Sequence, residues 1–180
     1  HSVWCDHKQT SFNAVAELIN AGHQEIAFLT GSMDSPTSVE RLAGYKDALA
    51  QHSIALNEKL IANGKWTPAS GAEGVETLLE RGAKFSALVA SNDDMAIGAM
   101  KALHERGVAV PEQVSVIGFD DIAIAPYTVP ALSSVKIPVT EMIQEIIGRL
   151  IFMLDGGDFS PPKTFSGKLI CRDSLIALSR

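Results

Sequence analysis

Short apolar runs alternate with longer amphipathic segments along the first two thirds of the chain. Each run is mostly apolar, often β-branched, and followed by a polar loop, which predicts a buried strand. The predicted strands are Val3 to Cys5, Glu25 to Thr30, Leu60 to Ala62, Phe85 to Ala90 and Val114 to Phe119.

The segments between these runs carry apolar residues at helical spacing and predict helices. They run from Thr10 or Ser11 to Gly22, from about Val39 to Gln51, from Ser70 to Gly82, and from about Asp94 to Arg106. Strands that alternate with helices in this way predict an α/β fold, with a parallel sheet, helices on both faces and right-handed crossovers.

The pattern changes after Asp121. Residues 122–130 contain two prolines and predict a loop or one short turn. A strand over 133–137 and an amphipathic helix over 139–154 follow, and residues 164–172 alternate as in a strand that suits an antiparallel edge. Residues 174–180 give no clear pattern.

Composition narrows the class of protein. The 180 residues are 46% hydrophobic with a formal net charge of −6, which argues against this segment gripping a nucleic-acid backbone. No apolar run reaches the roughly 18 residues that span a bilayer, so we expect no membrane partner. Cys5 and Cys171 fit neither a metal spacing nor a disulfide framework, which favours the cytoplasm. Because the chain begins with His1, we expect it to be part of a longer protein.

Polar side chains follow several predicted strands. Asn92 and Asp120 come directly after two of them, Arg41 lies in the helix after another, and Trp66 lies in a loop after a fourth. In a parallel sheet all of these strand ends face one rim, where ligands bind. Guanidinium, amide and carboxylate groups suit vicinal hydroxyls, and an aromatic face suits a sugar ring. The sequence therefore predicts a sugar site at this rim.

Each of these residues also has a structural alternative. Asp120 or Asp121 could cap a turn, and Asn92 could cap a helix. Arg41 could be solvated or form a surface ion pair, and Trp66 could be part of the core.

Catalysis and metal binding have weak support. The carboxylate pairs Asp93-Asp94 and Asp120-Asp121 are adjacent in sequence, so their side chains point apart and form poor catalytic dyads. The histidines match no metal motif, and Gly31-Ser32 lacks the Gly-Lys-Thr of a phosphate loop. We therefore predict no catalytic residues, no metal and no cofactor.

Five stretches resemble the LacI/GalR family of sugar-responsive transcriptional repressors in order and spacing. They are Asn13 to Gly31, Arg41 to Tyr45 (R-L-A-G-Y), Ala90 to Met100, Val114 to Asp121 (V-S-V-I-G-F-D-D) and Leu132 to Lys136. The resemblance covers essentially the whole chain, and this set of motifs is highly specific.

The resemblance implies a periplasmic-binding-protein-like (type I) sugar-binding lobe. Residues 1–136 and 164–173 would form the C-terminal lobe of an effector-binding core, and 137–163 would return to the N-terminal lobe. Most of that second lobe and the DNA-binding headpiece would be absent from this chain. The apolar face of the helix over 139–154 would then be exposed here.

The family's site residues carry over only by this resemblance. Arg41, Asn92 and Asp120 match its sugar-hydroxyl ligands, Trp66 matches its ring-stacking position, and Asp6 matches an acidic position near the cleft.

The resemblance also implies partners. Ile97 and Tyr127 match positions used in dimer contacts, so a homodimer is expected, with operator DNA bound through an N-terminal helix-turn-helix outside this chain. The predicted function is effector sensing in a cytoplasmic repressor rather than enzymatic turnover. A periplasmic sugar-binding protein, which usually has glycine in place of Asp121 and needs a signal peptide, is the alternative. A carboxylate-pair hydrolase is a third hypothesis.

Overall fold

The computed structural model describes residues 2–158 and 161–178. Residues 1, 159 and 160, which fall in the predicted domain ranges, and 179–180 of the predicted tail lie outside the described residues. The strands are β1 (Val3–Cys5), β2 (Ile26–Thr30), β3 (Ile61–Asn63), β4 (Ala87–Ala90), β5 (Ser115–Phe119), β6 (Ser133–Lys136), β7 (Lys163–Phe165) and β8 (Lys168–Ile170). The α-helices are α1 (His7–Asn20), α2 (Pro36–Gln51), α3 (Pro68–Glu80), α4 (Asp93–Glu105) and α5 (Val139–Leu154), and 3-10 turns occur at Glu58–Leu60 and Ala125–Tyr127.

Six strands form the main sheet in the order β3-β2-β4-β5-β6-β8. Every neighbouring pair is parallel except β6 and β8, which are antiparallel at the edge. Helices α1 and α2 pack together, as do α3 and α4. Each pair supplies one of two apolar clusters that share the sheet's strands. The predicted parallel sheet with helices on both faces is therefore confirmed.

The core explains why the inner strands read as continuous apolar runs. All five residues of β2 and all four of β4 are buried, since helices cover both faces of the sheet. Phe28 and Tyr45 pack in one cluster, with ring centroids 4.9 Å apart, and the Tyr45 hydroxyl donates to the Ile26 carbonyl at 2.9 Å. Leu29 and Leu88 point into the other cluster.

Three helices begin earlier than predicted. α1 begins at His7, with Asp6 as its N-cap rather than Thr10 or Ser11. The other two begin earlier because proline starts them. α2 begins at Pro36 rather than Val39, and α3 begins at Pro68 with Thr67 as its N-cap rather than Ser70. Proline suits the first helical turn, where its missing N–H would have no partner in the helix. Ser70 instead completes a capping box with Thr67.

The predicted strand over 164–172 is wrong as a single element. It is divided into β7 and β8, which belong to different sheets. β7 pairs in parallel with β1 in a separate two-stranded sheet, so Val3–Cys5 also lies outside the main sheet. Such short strands carry no local signal of their pairing partner, because the pairing is fixed by tertiary contacts.

The helix α5 is the least covered element. None of its residues is buried, and its apolar side chains Ile143, Ile147, Leu150 and Ile151 are all about half exposed. The predicted exposure of this apolar face is confirmed. Even so, no helix in residues 2–158 and 161–178 is long and apolar enough to cross a membrane.

Three chain passes connect the main sheet and its helices to the unit formed by β1, α5 and β7. They are β1 to α1, β6 to α5, and β7 to β8. The first and third are joined by hydrogen bonds, from the Asp6 N–H to the Phe165 carbonyl at 2.8 Å and from the Gly167 N–H to Thr10 Oγ1 at 2.9 Å. A Cβ atom at Gly167 would lie 2.7 Å from Thr10 and 3.0 Å from Ile137, so all three passes meet there.

The segment after β8 is anchored at the amino ends of β5 and β6. The buried Ser174 hydroxyl donates to the Val116 carbonyl at 2.6 Å and accepts from the Ser133 N–H at 2.8 Å. His23 is fully buried, and its Nε2 donates to the Ile176 carbonyl at 3.0 Å while its Nδ1 lies 2.9 Å from Ser86 Oγ. The His23 side chain therefore holds the segment around Ile176 against the loop that precedes β4.

Candidate functional site

A buried arginine is the centre of the carboxyl rim. Arg41 is only 3% exposed, and its Nη1 donates to the Ser91 carbonyl at the end of β4. Its Nη2 lies 3.3 Å from Asp120 Oδ1 and 3.4 Å from His7 Nδ1, while Cζ lies 4.3 Å from the Phe119 ring centroid. Burial lowers the pKa of Arg41 and the Asp120 carboxylate opposes this, so the guanidinium stays charged.

The Arg41 guanidinium is held in place from several sides, yet one donor remains free. Its Nε is buried without a hydrogen-bond partner among the described residues. The predicted alternative of a solvated arginine is therefore wrong for Arg41, which is buried and forms its ion pair with the partly exposed Asp120. A fixed guanidinium loses little side-chain entropy when it binds a ligand, which favours a binding role.

The turn after β5 presents Asp120 and uses Asp121 for structure. Asp120 is 44% exposed at its side chain, and its N–H donates to the Val135 carbonyl at 2.9 Å. Asp121 pairs with Arg172 at 2.5 Å and is largely covered. Both aspartates have positive φ, 99° for Asp120 and 52° for Asp121. This conformation costs a residue with a Cβ atom roughly 1–2 kcal/mol.

Asn92 and Trp66 form a second contact at the rim. Asn92 Oδ1 accepts from the Met95 N–H at 3.0 Å, so the predicted helix cap is confirmed. Asn92 Nδ2 donates to the Trp66 carbonyl at 3.1 Å. Trp66 has a φ of 65° and a half-buried indole packed on Gly31, where a Cβ atom would come 2.1 Å from Trp66 Cζ2. The absence of a side chain at Gly31 makes room for the ring.

Asp6 caps a helix, whereas the adjacent His7 contacts Arg41. Asp6 Oδ1 accepts from the Gln9 N–H at 2.7 Å and caps α1, and no hydrogen bond joins Asp6 to Arg41 or Asp120 in the described ranges. His7, which the sequence did not single out as a site residue, contacts Arg41 instead. Burial and the nearby Arg41 charge lower the pKa of His7.

The sheet order explains how these residues meet. Trp66 follows β3, Gly31 follows β2, Asn92 follows β4 and Asp120 follows β5, and these four strands are neighbours in the sheet. The predicted convergence is observed for two pairs, Arg41 with Asp120 and Asn92 with Trp66. The rim thus combines fixed donors, an accessible carboxylate and an aromatic ring.

A second surface lies on the outer side of α4. A groove of about 590 Å³ runs between α4 and residues 128–130, and Ile97 lines it. Val129, which also lines the groove, is 95% exposed, and the nearby Tyr127 is 78% exposed. The two residues predicted for dimer contacts, Ile97 and Tyr127, therefore belong to one region with exposed apolar side chains.

An open parallel sheet with polar groups at its carboxyl rim is the architecture of a periplasmic-binding-protein-like lobe. The family model described as "Periplasmic binding protein-like domain" matches residues 15–175. The chain is 97% identical over 180 residues to the HTH-type transcriptional regulator AscG of Escherichia coli, covering all of this chain and 54% of that protein.

Solved structures agree with this assignment. A sugar-binding transcriptional regulator of the LacI family from Escherichia coli superposes with a TM-score of 0.95 at 97% identity, covering 99% of this chain and 64% of that one. A complex of the regulator CelR with cellobiose gives 0.87 at 32% identity, covering 96% and 53%. The chain belongs to the LacI family. It spans about half the length of the curated relatives it matches.

These relatives are named as transcriptional regulators, which supports the predicted regulator and not the transporter alternative.

Proposed function

We propose that this chain forms most of the C-terminal lobe of an effector-binding core in a transcriptional repressor. A sugar or glycoside would bind at the carboxyl rim, with Arg41, Asn92 and Asp120 holding hydroxyls and Trp66 stacking on the ring. The observation that carries this proposal is the fixed Arg41 guanidinium beside the accessible Asp120 carboxylate. The ligand would be bound and released without turnover.

The chemistry of the rim suits a polyol. The accessible Asp120 carboxylate accepts hydrogen bonds, and the Arg41 Nη2 group beside it donates them. Hydrogen bonds to charged groups are worth about 1.5–3 kcal/mol each, and neutral ones about 0.5–1.5 kcal/mol. Three or four such bonds with one aromatic contact support roughly micromolar affinity. The similar structure of CelR is a complex with cellobiose, so a β-linked glucoside is a sensible first ligand to test.

A second lobe would close the site. We assign residues 137–163 to it, and also β1, because β1 pairs with β7 outside the main sheet. The remainder of that lobe and the DNA-binding headpiece would lie in the half of the relatives that this chain does not span. The exposed apolar face of α5 would pack there. A ligand that prefers the closed arrangement would shift the angle between the lobes.

A dimer would convert this closure into a change in DNA affinity. The apolar groove beside Ile97 and the exposed Tyr127 are suited to a contact between two copies. Two headpieces held at a set spacing match two half-sites of an operator, so a small change in that spacing alters binding. Such a regulator acts on DNA in the cytoplasm.

The decisive experiment is calorimetric titration of cellobiose and other glucosides into the complete natural chain that contains residues 1–180, with Asp120→Asn as the test variant. Asparagine tolerates positive φ but lacks the charge, so the turn is kept while the carboxylate is lost. We expect affinity to fall roughly 10- to 100-fold.

Asp94→Asn is the matched control, since Asp94 is an exposed carboxylate in the first turn of α4. Its affinity should equal that of the wild type. Unchanged affinity in Asp120→Asn would remove Asp120 from the site. Operator binding that does not respond to any sugar that binds would contradict the effector role.

A further inference from the structure

A buried carboxylate lies directly behind the rim. Asp93, the first residue of α4, is fully buried and follows Asn92. Its Oδ1 accepts from the Ser134 hydroxyl at 2.6 Å, and its Oδ2 accepts from the Ile122 N–H at 2.9 Å. Asp93 therefore links three elements: α4, β6 and the turn after β5.

The turn that carries Asp120 depends on these bonds. Asp120 and Asp121 are consecutive residues with positive φ, a conformation that persists only where the surroundings hold it. The N–H of Asp121 donates to Ser134 Oγ at 3.0 Å, and Ser134 in turn donates to Asp93. The N–H of Ile122 reaches Asp93 directly. Both backbone amides that follow Asp120 are thus satisfied by Asp93, one through Ser134.

We propose that Asp93 is a positioning residue for effector binding, which holds the 120–122 turn so that the Asp120 carboxylate stays beside Arg41. It does not itself touch the ligand. This inference rests on the proposed function of the rim as the effector site.

The electrostatics support this role. The pKa of Asp93 is raised to about 6, mainly by burial and to a smaller extent by the Asp120 and Asp121 charges, although the hydrogen bonds from Ser134 and Ile122 lower it. Burying the ionised carboxylate of Asp93 therefore costs free energy, and the Ile122 N–H of the turn and the Ser134 hydroxyl of β6 stabilise it. Asparagine has the same shape but only one acceptor oxygen, so it leaves one of these donors without a partner.

The test is a double-mutant cycle in the complete natural chain at pH 7.5, with Asp93→Asn, Asp120→Asn and both together. We expect Asp93→Asn to weaken cellobiose binding about tenfold, as the loss of a charged hydrogen bond would. In the Asp120→Asn background the same change should have little further effect, because Asp93 acts through Asp120. Asp94→Asn is the matched control and should change nothing.

Hydrogen–deuterium exchange of the peptide over residues 119–123 gives a second readout that needs no ligand. Exchange should be faster in Asp93→Asn and unchanged in Asp94→Asn. If Asp93→Asn does not fold, Ser134→Ala removes the acceptor of the Asp121 N–H and one donor to Asp93 but keeps the direct bond from the Ile122 N–H, and it should still speed exchange at Asp121.

The outcomes separate the two proposals. Additive losses of affinity in the cycle, or unchanged exchange in Asp93→Asn and Ser134→Ala, would overturn the positioning role. If the wild type binds neither cellobiose nor another glucoside, the proposed ligand class fails, while the exchange measurement still decides the role of Asp93.

Discussion

Replacing Gly31 with alanine should displace the indole of Trp66. A Cβ atom there would come 2.1, 2.3 and 2.4 Å from Trp66 Cζ2, Cε2 and Cη2, far inside van der Waals contact. The backbone of Trp66 cannot easily follow, because its carbonyl accepts from Asn92 and its φ is 65°. The ring itself must therefore leave its place at the rim.

The loss follows from the aromatic contact. A stacked ring contributes about 1–2 kcal/mol including the area it covers, so affinity for a glucoside should fall roughly 5- to 30-fold. Since the chain has two tryptophans, Trp4→Phe makes Trp66 the reporter within these 180 residues. Its fluorescence should shift to the red in Gly31→Ala as the half-buried indole meets water.

Gly148→Ala is the control for this experiment. Gly148 lies on α5, and apart from its chain neighbours and its own helix backbone, no heavy atom of the described residues lies within 4 Å of a Cβ built there. Its affinity and emission should match those of the parent. Wild-type affinity together with unchanged Trp66 emission in Gly31→Ala would refute the stacking argument, because the ring would then have accommodated the methyl group in place.

Two further predictions concern stability and assembly. Burial lowers the pKa of His23, so the unfolded chain binds a proton that the folded chain resists. Urea unfolding should therefore show stability falling as pH drops below about 6.5, and His23→Phe should weaken that dependence; an unchanged pH profile would contradict it. Ile97→Glu places a charge in the apolar groove and should weaken a dimer at least tenfold in sedimentation experiments, whereas dimerisation equal to the wild type would exclude that surface.

Much of the fold follows from sequence periodicity. Mostly apolar runs such as 85–90 predicted strands buried on both faces, and the helices between the runs predicted parallel neighbours. Residues at strand ends could therefore be placed at one rim before any contact was known. Helix starts were less accurate at Pro36 and Thr67, since several residues in each loop could serve as a cap.

The rest depended on distant contacts. Residues 164–172 alternate like one strand, and nothing local shows that the chain leaves one sheet for another within them. The contact between His7 and Arg41 exists because α1, which begins at His7, packs against α2, which carries Arg41. The side chain of Asn92 makes one predicted and one unpredicted contact, since its oxygen caps α4 as expected and its nitrogen donates to the Trp66 carbonyl, which lies 26 positions away in sequence.

The meeting of three chain passes at Gly167 has a mechanical consequence. Two of the passes are hydrogen-bonded into a ribbon near Thr10, and the third runs beside them near Ile137. Three chain passes that meet at one point resist twisting of the unit formed by β1, α5 and β7 against the main sheet, but they allow the two parts to bend toward each other. Opening of the site should therefore be close to a motion with one degree of freedom, and any side chain at Gly167 would act as a wedge in that joint.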